Sequence, residues 1–155
     1  MSSPSPVPAP AGAASVLVVD DEQGVLTLLE LALKESGYDV LCAPSGRDAQ
    51  AILESDRGSS IDVVILDYSM PGFDGVEVLR AFRSIRSVPV VLMSGYPLET
   101  IQHRLEEGEI AGFLQKPYRF DQLEQVIADA YAFGAFSATA DDVAALDPEP
   151  TKVLS

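Results

Sequence analysis

Short apolar runs alternate five times along the chain with stretches whose apolar residues recur at helical spacing. The runs have the length of buried strands and cover residues 16–20, 38–42, 61–66, 88–93 and 111–114. Between and after them, apolar residues follow the i, i+3, i+4, i+7 spacing that places side chains on one face of a helix. Leu98, Ile101 and Leu105 predict the fourth helix, and a stripe from Leu123 to Tyr131 predicts the fifth. The pattern therefore predicts five consecutive βα units.

The predicted strands are apolar on both faces, which indicates a parallel sheet covered by helices on both sides. Right-handed crossovers leave few topologies for five such units. We therefore predict an α/β protein with a five-stranded parallel sheet, flavodoxin-like and doubly wound, in strand order 2-1-3-4-5. In that order the ligand crevice lies outside the carboxyl ends of the first and third strands.

Composition divides the chain into three parts. Residues 1–14 contain Pro4, Pro6, Pro8 and Pro10 among small residues, and repeated proline prevents helix and sheet pairing. We expect an extended, mobile leader there. Residues 15–133 contain the predicted strands and helices, and we predict that they form the domain. Residues 134–155 are acidic and poor in bulky apolar side chains, so we expect a weakly ordered tail.

The charge of the chain bears on its partners. A formal net charge of −14, from 24 acidic and 10 basic residues, repels phosphate backbones, so we expect no nucleic-acid binding. Arg80, Arg83 and Arg86 recur at helical spacing, and we interpret them as a solvated helix face because nucleic-acid footprints are usually broader. No apolar run approaches the roughly 18 residues that span a bilayer. We expect a cytoplasmic protein without membrane contact.

A few residues that often carry chemistry are expected to be structural here. Cys42 is the single cysteine, which excludes an internal disulfide, and we expect it to pack as a small apolar side chain. His103, the single histidine, is expected on the surface of a helix. For Tyr131, Phe133 and Phe136, core packing, anchoring of the tail and a partner surface all stay open.

Charged residues follow three of the predicted strands at their carboxyl ends. Asp20 and Asp21 end the first strand, Asp67 ends the third and Lys116 ends the fifth. If the strands are neighbours, three carboxylates and one ammonium meet in one pocket. Two unit charges about 4 Å apart repel by roughly 4 kcal/mol at an effective dielectric near 20, so the carboxylates need a cation or must take up protons. Hard carboxylate oxygens with room for water suit Mg²⁺.

An alternative interpretation is that Asp20 and Asp21 only cap the first helix, where carboxylates are favoured by the helix dipole. Capping accounts for one of the two residues and not for Asp67.

Four motifs, each at a strand end, give the chain a resemblance to a known family. They are VDDE at residues 19–22, LDYSMPGFDG at 66–75, MSG at 93–95 and FLQKP at 113–117. Taken in this order, they resemble the receiver domains of two-component response regulators, over essentially all of residues 15–133. The tract from Ser94 to Leu114 is similar to receivers attached to hybrid histidine kinases.

The resemblance implies a signalling phosphoacceptor that catalyses only its own phosphorylation and dephosphorylation. Asp67 is then the nucleophile that takes a phosphoryl group from a phosphohistidine and later loses it to water. Mg²⁺ is held by Asp21, Asp67, the backbone carbonyl of Ser69 and Asp20, the last either directly or through a water. Lys116 neutralises oxygens of the transferring group.

The resemblance also implies a conformational switch and positions that set the lifetime of the phosphorylated state. Ser94 donates to the phosphorylated aspartate, and Phe113, where many members carry tyrosine, rotates inward with it. Ser69 and Tyr96 flank the route of the attacking water, and we predict that a bulky Tyr96 slows hydrolysis. The Lys116–Pro117 peptide bond is expected to be cis.

The implied partners are a histidine kinase or histidine phosphotransfer protein as donor and a downstream protein as target. Whether the chain is a stand-alone receiver or part of a hybrid kinase stays open, as does a homodimer. A haloacid-dehalogenase-type phosphohydrolase is a rival, but its Asp-x-Asp pattern is replaced here by adjacent Asp20 and Asp21. A flavin or nucleotide binder is disfavoured because no phosphate-binding loop follows the first strand.

Overall fold

Five short apolar segments form a parallel sheet at the centre of the fold. The strands are β1 Ser15–Val19, β2 Asp39–Ala43, β3 Val63–Asp67, β4 Val90–Ser94 and β5 Gly112–Gln115, in the order β2-β1-β3-β4-β5. The computed structural model describes residues 14–70, 72 and 74–132. Within that part, the doubly wound, flavodoxin-like arrangement predicted from the sequence is confirmed.

A helix follows each strand. The helices are α1 Gln23–Glu35, α2 Gly46–Glu54, α3 Gly75–Ile85, α4 Leu98–Ile101 and α5 at residues 120–132, with 3-10 turns at Asp56–Ser60 and Gln102–Arg104. Over the described ranges, every helix is too short or too polar to cross a membrane.

The two faces of the sheet bury separate apolar cores, as strands apolar on both faces require. One core contains Val18, Leu33 and Ile127, and lies between the sheet and helices α1 and α5. The other contains Leu66, Leu79 and Phe82, and lies under α2, α3 and α4. These cores hold the strands in register and so fix where each strand ends.

Most predicted strands lie one or two residues too far toward the N-terminus. Ile61 and Val88 are buried but lie outside the ladder, whereas Asp67 and Ser94 belong to it, paired with Met93 and Gln115. An apolar pattern records burial, and burial extends beyond the residues that pair at one end of a strand. At the other end, pairing continues into polar residues.

The fourth helix is shorter than its apolar stripe predicts. The α-helix ends at Ile101 and a 3-10 turn follows, yet Leu105 still packs against the second core. Both helix types place these apolar side chains inward, so the stripe could not distinguish them. His103 is exposed in the turn.

The three arginines predicted to form a solvated face all have specific partners. Arg80 binds the Glu109 carboxylate, with Nε 2.5 Å from Oε2, and Arg83 donates to the Glu109 carbonyl oxygen at 2.8 Å. Arg86 lies beyond the end of α3 and donates to the carbonyl oxygens of Gly58 and Ile61. Arg80 and Arg83 are exposed, as a solvated face requires, whereas Arg86 is half-buried, because helical spacing says nothing about the loops that pack beside the helix.

The remaining single residues behave as expected where they are described. Cys42 is half-buried against the first core, and burial raises the pKa of its thiol to about 11. Tyr131 packs on the same core, whereas Phe133 and Phe136 lie outside the described residues. The predicted leader, except Ala14, and the predicted tail also lie outside them.

Gly58 lies where a side chain has no room. A Cβ at this position would stand 2.6 Å from the Ile52 carbonyl oxygen and closer still to the Leu53 carbonyl group. Backbone atoms cannot move aside as a side chain can, so we expect Gly58→Ala to lower the free energy of unfolding by about 3 kcal/mol. Urea unfolding measures this change.

Gly24 provides the matched control. Its Cβ would meet nothing within 4 Å, and it lies in the first turn of α1. Alanine there should leave stability unchanged or raise it by up to about 1 kcal/mol. Equal effects of the two substitutions would contradict the packing described around Gly58.

Candidate functional site

The register of the sheet brings two aspartates side by side at its carboxyl edge. Val19 pairs with Leu66, so Asp20 and Asp67, each the next residue along, occupy neighbouring positions on β1 and β3. The backbone N–H of Asp20 donates to the Ala43 carbonyl oxygen at 3.2 Å, which continues the pairing with β2. This is the crevice that the strand order predicts.

Three carboxylates converge in the crevice. One oxygen from each of Asp20, Asp21 and Asp67 lies within 4.8 Å of the others. Asp20 and Asp67 are buried, at 0% and 3% exposure, whereas Asp21 is exposed. The cluster therefore opens to solvent on the side of Asp21, which allows a small molecule or an ion to enter.

Backbone amides orient the two buried carboxylates. The Glu22 N–H donates to Asp20 Oδ1 and the Ser69 N–H donates to Asp67 Oδ1, both at 3.0 Å. Each bond is a short turn within the loop that follows its strand. The second oxygen of each carboxylate is left for other contacts.

Lys116 supplies the positive charge that faces these second oxygens. Its Nζ is 3.3 Å from Asp67 Oδ2 and 3.8 Å from Asp20 Oδ2. The Lys116 N–H donates to the Ser94 carbonyl oxygen at 2.7 Å, which places the residue at the end of β5. The peptide bond to Pro117 is cis, as expected.

The Asp20 carboxylate has one buried oxygen and a raised pKa. No donor in the described part of the chain makes a hydrogen bond to Asp20 Oδ2, although the atom is buried. Burial raises the pKa of Asp20, and the charges of Asp67 and Asp21 act in the same direction. The Glu22 amide and the Lys116 ammonium oppose them. A buried carboxylate oxygen without a donor is costly, so it requires a cation or a proton.

The cluster meets the chemical requirements of a magnesium site. It offers hard oxygen donors, an open side for water and the buried Asp20 Oδ2, which has no hydrogen-bond partner within the described ranges. Mg²⁺ keeps several waters and binds through few protein ligands, so this partly exposed cluster supplies enough oxygens and leaves room for water. The residues present therefore fit this ion.

Ser94 ends β4, which pairs with β3, and Phe113 lies on β5, which pairs with β4. Ser94 is fully buried, and its Oγ accepts a hydrogen bond from the Tyr96 N–H at 2.9 Å. Tyr96 itself is 56% exposed. Phe113 is half-buried and packs against the second core. The hydroxyl is thus near the crevice and tied to its own loop.

An arginine that the sequence did not single out contacts the loop beyond Asp67. Arg104 donates from Nη1 to the Tyr68 hydroxyl at 2.9 Å, and from Nη2 to Asp74 Oδ2 at 2.5 Å. The bond from Arg104 to Asp74 is the main cause that holds the pKa of Asp74 below its usual range. Asp74 also caps α3 by accepting from the Val76 N–H at 3.0 Å. The Asp-Gly pair at 74–75 could have predicted the cap, but nothing in the sequence predicted Arg104.

An apolar groove, hereafter the α1 groove, runs from the crevice along the first helix. Its apolar lining includes Val25, Leu28, Pro117, Tyr118 and Phe120, and Glu22 and Lys116 lie at its polar end. Leu28 is 64% exposed and Leu31, on the same helix, is 60% exposed.

Comparison with known proteins agrees with this geometry. The sequence model of the response regulator receiver domain matches residues 16–128. A receiver domain protein from Clostridium thermocellum is 30% identical, with a TM-score of 0.71 over 79% of this chain and 98% of that one. Response regulator TrrA from Thermotoga maritima, in complex with Mg²⁺-BeF, is also 30% identical, with a TM-score of 0.63 over 76% and 98%. Chemotaxis protein CheY4 from Vibrio cholerae is 28% identical, with a TM-score of 0.65 over 74% and 97%.

Proposed function

The chain belongs to the response regulator receiver domain family, and from this premise we propose that Asp67 accepts a phosphoryl group from a phosphohistidine with the help of Mg²⁺. Phosphorylation then changes a surface that a downstream protein contacts. The donor is a histidine kinase or a histidine phosphotransfer protein, as for receiver domains in general.

One observation carries the proposal: the carboxylates of Asp20, Asp21 and Asp67 meet within 4.8 Å beside the Lys116 ammonium. A stability role alone does not explain it, because clustered like charges destabilise a fold. The cluster instead suits a reaction that brings a divalent cation and an anionic phosphoryl group to one place.

In the proposed reaction an Asp67 carboxylate oxygen attacks phosphorus in line. The new O–P bond forms as the N–P bond to the donor histidine breaks, and the electron pair of that bond returns to the imidazole. The Ser69 N–H fixes the rotation of the Asp67 carboxylate, and Lys116 faces the oxygens that carry negative charge. Water later attacks phosphorus, which releases phosphate and restores the carboxylate.

We propose that Asp20, Asp21, Asp67 and the backbone carbonyl of Ser69 hold the ion, with Asp20 bound directly or through a water. When bound, Mg²⁺ neutralises charge on the transferring phosphoryl oxygens. The TrrA relative was solved with Mg²⁺-BeF, and beryllofluoride mimics a bound phosphoryl group. This supports the proposal that the present chain also binds Mg²⁺ together with a phosphoryl group.

Ser94 is the proposed sensor of the modified state. For its hydroxyl to donate to an aspartyl-phosphate oxygen, the Oγ–Tyr96 turn must move with it, because the Tyr96 N–H is bonded to that oxygen. Phe113 is half-buried rather than free in solvent. Its further burial would report the movement of Ser94 to the surface formed by α4, β5 and α5, as a population shift between two arrangements.

The α1 groove is proposed as the surface that receives the phosphohistidine protein. It begins at Lys116, beside the phosphoacceptor, and its apolar lining suits a partner helix. We expect Leu28→Asp to leave phosphorylation by acetyl phosphate unchanged, because that donor does not need the groove. Transfer from a phosphorylated histidine phosphotransfer protein should slow by about fivefold or more.

Leu31→Asp is the matched control for that prediction. Leu31 is as exposed as Leu28 and lies on the same helix, but it does not line the groove. Radiolabelled transfer assays with both donors measure the rates. Equal slowing by the two substitutions would show that helix charge, and not the groove, controls transfer.

Tyr96 is proposed to limit the access of water to the phosphorylated state. The Tyr96 N–H donates a hydrogen bond to Ser94 Oγ, which holds the Tyr96 backbone against the residue proposed as the sensor. We expect Tyr96→Ala to accelerate loss of the phosphoryl group, whereas Tyr96→Phe keeps the ring and the slow rate. Phosphate release from purified phosphoprotein measures both, and an unchanged rate in Tyr96→Ala would contradict the proposal.

Incubation with acetyl phosphate and Mg²⁺, followed by intact mass, tests the proposed function directly. A receiver gains the mass of one phosphoryl group, and the gain requires the ion. A phosphohydrolase would instead turn the donor over many times without stable modification, and a flavin or nucleotide binder would do neither.

A further inference from the structure

The two ends of the loop that follows the phosphoacceptor are held by one side chain. The Tyr68 hydroxyl and the Asp74 carboxylate both accept hydrogen bonds from the guanidinium of Arg104, which comes from beyond α4. Tyr68 directly follows Asp67, and Asp74 caps the next helix. Because an arginine presents its donors in a rigid planar fork, one residue can fix both positions together.

Tyr68 is well placed to pass on a displacement. Its N–H donates to the Met93 carbonyl oxygen at 2.7 Å, next to the buried Ser94. Its ring packs so closely on Gly75 that a Cβ there would stand 2.6 Å from Tyr68 Cδ1. A shift of the Asp67 loop therefore moves the hydroxyl that Arg104 binds.

The segment that carries Arg104 is also anchored on its far side. The Arg104 carbonyl oxygen accepts from Arg80 Nη2 at 3.0 Å, and Glu109 binds Arg80 and Arg83 of α3. Residues 104–109 thus lie against α3 through bonds that do not involve the phosphoacceptor loop. Arg104 is the point at which that segment meets the loop.

We propose that Arg104 is a positioning residue that couples the phosphoacceptor loop to the segment of residues 104–109. It holds the loop in the arrangement that binds Mg²⁺ and the phosphoryl group, and it transmits occupancy of that site to the segment after α4. This inference rests on the proposed function. By linkage, if Arg104 favours the bound loop, binding must tighten the contacts of Arg104 by the same factor.

Each contact on its own is modest, since the Arg104 and Asp74 side chains are about one-third exposed. Their effect comes from joining two anchors through one rigid group. Replacement by lysine, which presents a single ammonium, should not restore the coupling.

The experiment compares the full chain with Arg104→Gln, Tyr68→Phe and the control Arg80→Gln. Beryllofluoride with Mg²⁺ serves as the phosphoryl mimic, and titration gives its affinity. Hydrogen exchange is followed with and without it at residues 104–109 and at residues 94–96. Arg80→Gln loosens the same segment but leaves the bonds to Tyr68 and Asp74 in place.

We expect Arg104→Gln to bind the mimic about fivefold more weakly, and Tyr68→Phe to show a smaller loss in the same direction. In the unsubstituted chain the mimic should protect both regions from exchange. In Arg104→Gln protection at residues 94–96 should persist while that at 104–109 disappears. Arg80→Gln should keep the affinity of the unsubstituted chain.

Unchanged affinity and unchanged protection at residues 104–109 in Arg104→Gln would overturn the inference. If the unsubstituted chain fails to bind the mimic, the proposed function fails. The coupling is then judged by a double-mutant cycle between Arg104→Gln and Tyr68→Phe in urea unfolding, where additive effects would overturn it as well.

Discussion

Asn at position 67 should abolish phosphorylation completely. Incubated with acetyl phosphate and Mg²⁺, Asp67→Asn is expected to show no gain of mass, because a neutral amide oxygen does not attack phosphorus to form a stable acyl phosphate. The fold should persist, since Asn keeps the shape and can still accept the Ser69 N–H bond at Oδ1. Intact mass measures the modification, and circular dichroism confirms the fold.

The substitution also makes a stability prediction with a definite sign. It removes one of three converging negative charges, so without Mg²⁺ the urea midpoint of Asp67→Asn should not fall and is expected to rise. Asp121→Asn is the control, because Asp121 is an exposed carboxylate paired with Arg119, away from the cluster. Phosphorylation that persists in Asp67→Asn, or that disappears in Asp121→Asn, would place the nucleophile elsewhere.

Lys116→Met should separate catalysis from ion binding. The ammonium lies 3.3 Å from Asp67 Oδ2, where the proposed reaction would place negative charge on the transferring group. Loss of one such stabilising group typically slows a reaction by about 100-fold, and we expect that reduction in the rate with acetyl phosphate. Affinity for Mg²⁺ should stay the same or rise, because the cluster loses the positive charge of the Lys116 ammonium.

These opposite signs distinguish a role in charge stabilisation from a merely structural one. A substitution that simply distorted the crevice would weaken the ion and slow the reaction together. Lys34→Met is the control, since Lys34 forms an exposed i,i+4 pair with Glu30 on α1. Weakened Mg²⁺ binding in Lys116→Met would show that Lys116 organises the site and does not act on the phosphoryl group.

The buried Asp20 carboxylate shows that this site lowers the stability of the folded protein. Among the described residues no donor reaches Asp20 Oδ2, and burial raises the pKa of the Asp20 carboxyl group. A buried carboxylate oxygen that no donor satisfies lowers the stability of the folded protein. Its presence beside Asp67 is therefore best explained by chemistry, and natural proteins commonly retain stability costs of this kind at functional sites.

Much of the fold could be predicted from local patterns, because the apolar runs of the strands and the helical spacing between them are both clear. The apolar runs identified the five strands of the sheet, and the right-handed crossover rule left few topologies, among which the preferred flavodoxin-like order is the observed one. Strand bounds were less accurate, since Ile61 and Val88 are as apolar as paired residues but lie outside the ladder. The length of α4 was not predictable, because Leu105 can pack against the second core whether the chain before it is α-helical or 3-10.

The site could be predicted to the extent that its residues lie at strand ends. In a parallel sheet all carboxyl ends share one edge, so sequence position alone indicated that Asp20, Asp67 and Lys116 would meet. Arg104 could not be found in this way. Its partners Tyr68 and Asp74 lie 36 and 30 residues earlier in the chain, and no periodicity links them.

The amino-acid sequence by itself determined the strand order, the crevice and the identity of the charged groups within it, because hydrophobic periodicity and strand polarity act locally. Only the tertiary structure decided which oxygens are paired, which one is left buried without a donor, and which arginine joins the loop to the segment after α4. Those features depend on distances between side chains from separate elements, and such distances are set by packing.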